Sequence, residues 1–210
     1  MVSDLDLIDI QARIADPSQN SYWDHLINDP ECYCAIKHLS ADESALVFRG
    51  TNTPLDFFND LDEEPVYDPQ IGPVHGGSFR GVRARHQNIV ALLHPRVYVL
   101  GYSLGAMRAF QEAGLLIANG IMPVAVRGWA CPRPGFCQLS QIVARCPNAL
   151  WWRNHLDAIT YFPYRLGAYR HAGDERQVNV HPAFPDPWLF LAPHHLELYR
   201  AGIAASGVQP

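Results

Sequence analysis

The sequence predicts an α/β protein whose mainly parallel central sheet is covered by helices on both faces. Short apolar runs at residues 45–48, 97–100 and 149–152 have the length and composition of strands that are buried on both sides. Between the first two runs, residues 79–93 repeat apolar side chains at helical spacing. Strands that alternate with helices favour a parallel sheet, because each parallel connection has to return to the other end of the sheet.

The remaining segments are assigned from the same patterns. Residues 3–40 are predicted to be mostly helical and to precede the sheet, whereas residues 165–193 are rich in Pro, His and aromatic residues and fit no single pattern. Glycine and proline mark the ends of the elements. The other predicted elements are a helix over 104–118, a strand at 124–126, a helix over 136–145 and a last helix from about residue 194.

The bulk composition is that of one globular domain, which we expect to span residues 1–210. With 16 Lys and Arg against 21 Asp and Glu, the chain has a formal net charge of −5 and lacks the basic character of a nucleic-acid-binding protein. No apolar stretch approaches the roughly 20 residues that a transmembrane helix needs. We therefore expect no nucleic-acid partner and no transmembrane segment.

The five cysteines indicate a reducing environment. They are odd in number and scattered along the chain, which does not fit a disulfide framework. The first nine residues are acidic and lack the basic and apolar regions of a secretory signal. We therefore expect a cytoplasmic protein whose thiols are free and partly buried rather than bound to zinc.

The segment Gly101-Tyr-Ser-Leu-Gly105 matches the pattern G-x-S-x-G at the junction of a predicted strand and a predicted helix. In that position a serine sits on a sharp turn, with its hydroxyl exposed at the carboxyl end of the strand. The following helix offers its first N–H groups to a negative charge that develops beside the serine. Ser103 is therefore a candidate nucleophile, and the alternative is a serine in an ordinary strand-to-helix turn.

A nucleophilic serine needs a base and an acid that orients the base, and with this motif the acid precedes the histidine along the chain. Asp157 follows the predicted strand at 149–152, at the end of the strand where open α/β sheets place their sites. The pair His194 and His195 stands at the start of the last predicted helix. The residues alone leave rivals open, namely the acids Asp174, Glu175 and Asp186 and the histidines His155, His171 and His181.

The chain resembles the class 3, fungal-type lipases of the α/β-hydrolase superfamily through seven segments that follow one another in the family's order. The resemblance covers about residues 45–203, and the ordered set is more specific than any single motif. It implies the α/β-hydrolase fold. The segments are 47–51 (VFRGT), 74–79 (VHGGSF), 101–106 (GYSLGA), 130–135 (ACPRPG), 154–157 (NHLD), 169–175 (YRHAGDE) and 194–199 (HHLELY).

The resemblance also implies which residues would form a catalytic triad. Ser103 would be the nucleophile, Asp157 the acid and His194 the base. His195 is the alternative base, because the spacing between the histidine and the following aromatic residue varies within the family. His75 corresponds to a histidine that is usually structural.

Two further features are assigned through the resemblance. The oxyanion hole would consist of Thr51, through its backbone N–H and hydroxyl, and the backbone N–H of Leu104. Tyr102 stands where the family commonly has histidine, and we assign it to the substrate pocket. Neither assignment follows from composition or spacing.

Residues 52–73 correspond to the lid of the family. Apolar residues recur every three positions between 55 and 61, with acidic and amide side chains between them, as in a short amphipathic helix. In a helix that moves, Phe57 or Phe58 would line an acyl pocket. The alternative is a fixed cap that packs on the core.

Together these residues indicate a serine ester hydrolase, either a lipase or a carboxylesterase, that needs neither a metal nor an organic cofactor. The expected substrate is a small-molecule ester or a lipid ester, the latter reached through transient contact with a lipid interface. Three alternatives stay open. They are a lipase-like protein that binds without catalysis, a thioesterase or acyltransferase with the same triad, and a metal site formed by His194, His195 and Glu197.

Overall fold

The computed structural model describes residues 2–50, 64–155, 157–163, 168–181 and 194–207. In these ranges the chain forms a large sheet, a small hairpin and the helices that cover both faces of the large sheet. The strands are β1 (His25–Asp29), β2 (Cys32–His38), β3 (Glu43–Phe48), β4 (Pro65–Asp68), β5 (Gly72–His75), β6 (Arg96–Tyr102), β7 (Ala125–Trp129), β8 (Ala149–Asn154) and β9 (Asp174–Val178).

The large sheet has the strand order β1-β2-β3-β6-β7-β8-β9, and β4 pairs with β5 in the hairpin. Strands β1 to β3 are antiparallel, whereas β3, β6, β7, β8 and β9 run parallel to one another. Strand β7 is buried along its whole length, as expected for a parallel strand with helices on both sides. The carboxyl ends of the parallel strands meet at one edge of the sheet, and this edge carries the candidate site.

The helices lie on both faces of the sheet, as the sequence predicts for an α/β fold. They are α1 (Asp4–Arg13), α2 (Gly76–Leu92), α3 (Leu104–Ala118), α4 (Cys137–Val143) and α5 (Leu196–Ser206). On one face, Phe79 of α2, Phe110 of α3 and Leu139 of α4 share a core. On the other face, Ile8 of α1 and Tyr199 of α5 share a second core.

The prediction that residues 3–40 are mostly helical is wrong. The helix there ends at Arg13, a short 3-10 helix follows at Pro17–Tyr22, and β1 and β2 then form an antiparallel hairpin. Strand β2 also pairs along its length with β3, for example Ala35 with Val47. This pairing across the sheet overrides the weak helical pattern of the isolated segment.

The remaining predicted elements are present with shifts of a few residues at their ends. The hairpin β4–β5 and strand β9 were not predicted. Residues 65–73 of the candidate lid belong to this hairpin, and the side chain of Ile71 is fully buried in the core. Whether the segment moves stays open as a prediction. Residues 52–63, with Phe57 and Phe58, lie outside the described residues.

The five cysteines are all free, and only the side chain of Cys137 is exposed. None of the described helices is long and apolar enough to cross a membrane. The expected cytoplasmic location and the single domain over 1–210 stay predictions.

His171, one of the alternative candidates for the base, packs against the central sheet. Its ring stacks on that of Trp151 in β8, with 3.7 Å between ring centroids and 12° between ring planes. Burial, together with the positive charge of Arg133, lowers the pKa of His171 from 6.5 to about 3. The imidazole is therefore neutral in the folded protein at ordinary pH.

We expect the free energy of unfolding to fall as the pH is lowered from 6.5 towards 3. Over this range the unfolded chain binds a proton at His171 and the folded chain does not, so this stabilisation is complete above the unfolded pKa and is lost below it. At pH 5 the loss from this one group is about 2 kcal/mol.

Urea unfolding at pH 7 and pH 5 measures this loss in the wild type, in His171→Gln and in the control His155→Gln, whose side chain is exposed. The first variant should lose about 2 kcal/mol less than the other two proteins between the two pH values. An equal loss in all three proteins would contradict the assignment.

Candidate active site

Ser103 occupies a strained turn at the carboxyl end of β6. Its backbone has φ 57° and ψ −127°, a conformation that side-chain-bearing residues rarely adopt and that costs about 1–3 kcal/mol. Two backbone hydrogen bonds hold the turn. The N–H of Ser103 donates to the carbonyl of Trp129 at 2.9 Å, and the carbonyl of Ser103 accepts from the N–H of Ala106 at 2.9 Å. The serine therefore lies between β6 and the first turn of α3.

The glycines on either side of the serine allow the helix to approach the sheet. A Cβ atom on Gly101 would lie 2.2 Å from the carbonyl oxygen of Gly105. A Cβ atom on Gly105 would lie 2.4 Å from the carbonyl oxygen of Phe48, at the end of β3. Both neighbours are backbone atoms, so a larger residue at either position would push α3 away from the strands.

The side chains of Ser103, His194 and Asp157 form one line of hydrogen bonds. Nε2 of His194 lies 2.9 Å from Oγ of Ser103, and Nδ1 lies 2.9 and 3.0 Å from the two carboxylate oxygens of Asp157. The carboxylate can only accept, so the tautomer that satisfies both contacts has its proton on Nδ1 and its lone pair on Nε2. The histidine is thus oriented to accept the hydroxyl proton of the serine.

Asp157 is fully buried and is held by donors besides the histidine. Its Oδ1 accepts from Ile159 N–H at 3.1 Å, and its Oδ2 accepts from the hydroxyl of Tyr199. Burial, with the neighbouring negative charge of Asp157, raises the pKa of Tyr199 well above its ordinary value, so the phenol keeps the proton that it donates. These donors fix the carboxylate, and the carboxylate fixes the imidazole.

Tyr102 contacts the segment that carries the histidine. Its hydroxyl donates to the backbone carbonyl of His194, and the two rings lie 5.3 Å apart at 35°. Burial raises the pKa of Tyr102, so its hydroxyl stays protonated and can act as a donor. This contact places Tyr102 next to His194. The assignment of Tyr102 to the substrate pocket stays a prediction.

The structure separates the two adjacent histidines. His194 lies between Ser103 and Asp157, whereas His195 is exposed and precedes the first residue of α5. Both ring nitrogens of His194 face protein partners, which is the geometry of a triad and not that of a metal site shared with His195 and Glu197. The alternative base and the metal alternative are thus not supported by the geometry.

One of the two predicted oxyanion donors, the N–H of Leu104, lies at the carboxyl end of β6. Leu104 is the first residue of α3, and the first N–H groups of a helix have no acceptor within the helix. Gly50 follows strand β3, and a Cβ atom on it would lie 2.8 Å from the carbonyl oxygen of Tyr102. The next residue, Thr51, lies outside the described residues.

The rival acids and the structural histidine have other positions. Asp174 and Glu175 are in strand β9, where Glu175 pairs with Arg153 at 2.7 Å, and Asp186 lies outside the described residues. His75 is buried and accepts from Ser78 N–H at the start of α2. Tyr199 is the site residue that sequence reasoning missed, although it ends the last matching segment.

The fold is that of solved fungal lipases. No protein-family model and no curated protein sequence matches the chain. The triacylglyceride lipase of Rhizomucor miehei is similar to it with a TM-score of 0.63 and 20% identity, over 81% of this chain and 80% of the lipase. The mono- and diacylglycerol lipase of Aspergillus oryzae is similar with a TM-score of 0.63 and 17% identity, over 89% and 82% of the two chains.

A further solved structure is a triacylglycerol lipase whose catalytic centre is a serine protease triad. It is similar to this chain with a TM-score of 0.67 and 20% identity, over 82% of this chain and 77% of the lipase. At such identities the likeness shows the fold, so the chain has the α/β-hydrolase fold of the fungal-type lipases, as the resemblance of the seven segments implies.

The close approach of α3 to the sheet makes Gly101 a sensitive position. We expect Gly101→Ala to lower the free energy of unfolding by about 1–3 kcal/mol, because the added methyl meets the backbone of α3. Urea denaturation followed by tryptophan fluorescence measures the change. Unchanged stability would mean that the helix and strand do not approach as closely as the structure shows.

Proposed function

We propose that the protein is a serine ester hydrolase of the lipase or carboxylesterase type. One observation supports this most strongly: Oγ of Ser103, on a strained turn, lies 2.9 Å from Nε2 of His194, which the buried carboxylate of Asp157 orients. An ordinary strand-to-helix turn needs neither the strain nor the buried carboxylate. Strain of this kind persists where the surrounding structure holds it, and it is concentrated at functional sites.

In the first half of the reaction, Oγ of Ser103 attacks the carbonyl carbon of an ester while Nε2 of His194 takes its proton. The imidazolium that forms is stabilised by the carboxylate of Asp157, which keeps its own charge. The tetrahedral intermediate then collapses, the bond between the carbonyl carbon and the alkoxy oxygen breaks, and His194 returns the proton to the departing alcohol. The product of this half is an acyl-serine.

In the second half, water takes the place of the alcohol. His194 removes a proton from the water, which attacks the acyl carbon, and the same proton returns to Oγ of Ser103 as the acid leaves. During both halves the oxyanion would accept from the backbone N–H of Leu104 and from Thr51. Each such donor contributes about 3 kcal/mol to the stabilisation of the transition state in comparable sites.

The apolar surroundings of the serine favour an ester with an apolar acyl group. Leu104, Met107 and Ile159 form a small buried cluster, with the partly buried Phe162 beside it. This cluster links the first turn of α3 to the short 3-10 helix Ala158–Tyr161 that follows Asp157. Solved fungal lipases with this fold act on acylglycerols, and an acyl ester of a small molecule or of a lipid is the substrate class that we propose here.

The proposal is tested first by covalent labelling. Incubation with a fluorophosphonate should add one phosphonyl group to the wild type and none to Ser103→Ala, as measured by intact mass. Hydrolysis of p-nitrophenyl esters should be lost in the same variant by about a thousandfold or more. A wild-type protein that neither labels nor hydrolyses, also in the presence of detergent, would instead indicate a lipase-like binding protein.

The two histidines provide a matched pair of variants. His194→Gln should reduce ester hydrolysis by about a thousandfold or more, because the base is removed from the serine. His195→Gln should stay within about twofold of the wild type, because this exposed side chain lies outside the triad. If His195→Gln loses more ester hydrolysis than His194→Gln, the assignment of His194 as the base is wrong.

Tyr199→Phe removes one donor from the buried carboxylate and leaves the ring in place. We expect kcat to fall by about tenfold, the equivalent of one hydrogen bond to a charged group, with little change in KM. Steady-state kinetics with a soluble ester measures both constants. An unchanged kcat would show that Ile159 N–H and His194 alone are enough to hold Asp157.

A further inference from the structure

Gln11 is a buried amide on the inner face of α1. Its side chain is 2% exposed, and its Nε2 donates to the carbonyl oxygen of Phe48 at 3.1 Å. Its Oε1 is buried and has no hydrogen-bond partner among the described residues. Within the described part of the chain, the amide therefore makes one directed contact, with the last residue of β3, and its acceptor oxygen has no partner.

The carbonyl that Gln11 contacts belongs to Phe48, three residues before the predicted oxyanion residue Thr51 in the sequence. A Cβ atom on Gly105, in the first turn of α3, would lie 2.4 Å from this oxygen, so the carbonyl of Phe48 is packed directly against the turn that holds Ser103. The next residue, Arg49, is fixed by its N–H, which donates to the carbonyl of Tyr33 at 3.0 Å. The end of β3 is thus positioned by contacts with three other elements.

An amide is a poor choice for this position on grounds of stability. The neighbouring core residues of α1, Leu7, Ile8 and Ile10, are apolar, and burying an amide with an unused acceptor destabilises the folded chain. A side chain of similar volume without polar atoms would avoid this cost. A local choice that opposes stability is typical of residues that serve a site.

We propose that Gln11 is a positioning residue that holds the carboxyl end of β3 against the turn of Ser103, and so fixes the first turn of α3 with the N–H of Leu104. This inference rests on the proposed ester hydrolysis. Gln11 acts through the backbone of Phe48 and does not touch the substrate. Helix α1 is therefore part of the catalytic framework and not only a cover for the sheet.

The variant Gln11→Met removes the donor and keeps the volume of the side chain. We expect kcat for a soluble ester to fall by about tenfold, with KM within about twofold, because a small displacement of Ser103 and of the Leu104 N–H weakens binding of the transition state more than that of the substrate. The Tm should be equal to or higher than that of the wild type. The matched control is Ala12→Ser, an exposed position of the same helix, which should leave kcat unchanged.

A fall in kcat without a fall in Tm distinguishes a positioning role of Gln11 from a merely structural one. If kcat and Tm fall together, or if kcat stays within twofold of the wild type, the inference is overturned. Gln11→Leu, which also lacks the donor, is measured beside Gln11→Met. Failure of both variants to fold would assign Gln11 to folding and would also overturn the inference.

Hydrogen exchange gives a readout that does not depend on activity. In Gln11→Met, peptides that cover residues 43–50 should exchange about tenfold faster than in the wild type, while peptides from α3 stay unchanged. If the wild type shows no esterase activity, the proposed function fails, and the exchange rates still decide whether Gln11 holds this strand. Unchanged exchange at 43–50 would contradict the role assigned to Gln11.

Discussion

The backbone of Ser103 is held at a positive φ, and much of the surrounding structure is arranged to keep it there. Strand β6 has to end and α3 has to begin within one residue, which brings the helix onto the ends of the strands. Gly101 and Gly105 permit that approach, since any side chain at either position would meet backbone atoms. The hydroxyl and the first N–H groups of α3 consequently point to the same edge of the sheet, where an oxyanion can be both formed and stabilised.

The partners of the serine come from parts of the chain that are distant in sequence. Asp157 follows β8 and His194 precedes α5, so the sheet and one helix have to be in place before the line of hydrogen bonds exists. Helix α1 packs beside α5 and is anchored at one end by the ion pair of Asp4 with Arg127, at 2.6 Å. This face of the sheet thus packs against the helix that follows His194, as well as contacting the end of β3 through Gln11.

The sequence predicted the parts of the fold and site that depend on local pattern. The strand–turn–helix around Ser103 was predicted because its glycines, its apolar strand and its helix are contiguous in sequence. The contacts of Tyr199 and Gln11 were not predicted, because their significance lies in what they touch across the fold. The hairpin β1–β2 was missed for a related reason: its strands are stabilised by pairing with β3, which no local window contains.

We propose that Ser103, His194 and the N–H of Leu104 act on one acyl group, and a crystal structure of the protein inhibited by a phosphonate would test this proposal. We expect a bond between phosphorus and Oγ of Ser103. We also expect the phosphoryl oxygen to accept from Leu104 N–H and Thr51, and Nε2 of His194 to face the oxygen in the leaving-group position. Phosphorus on another residue, or a phosphoryl oxygen that points away from the first turn of α3, would contradict it.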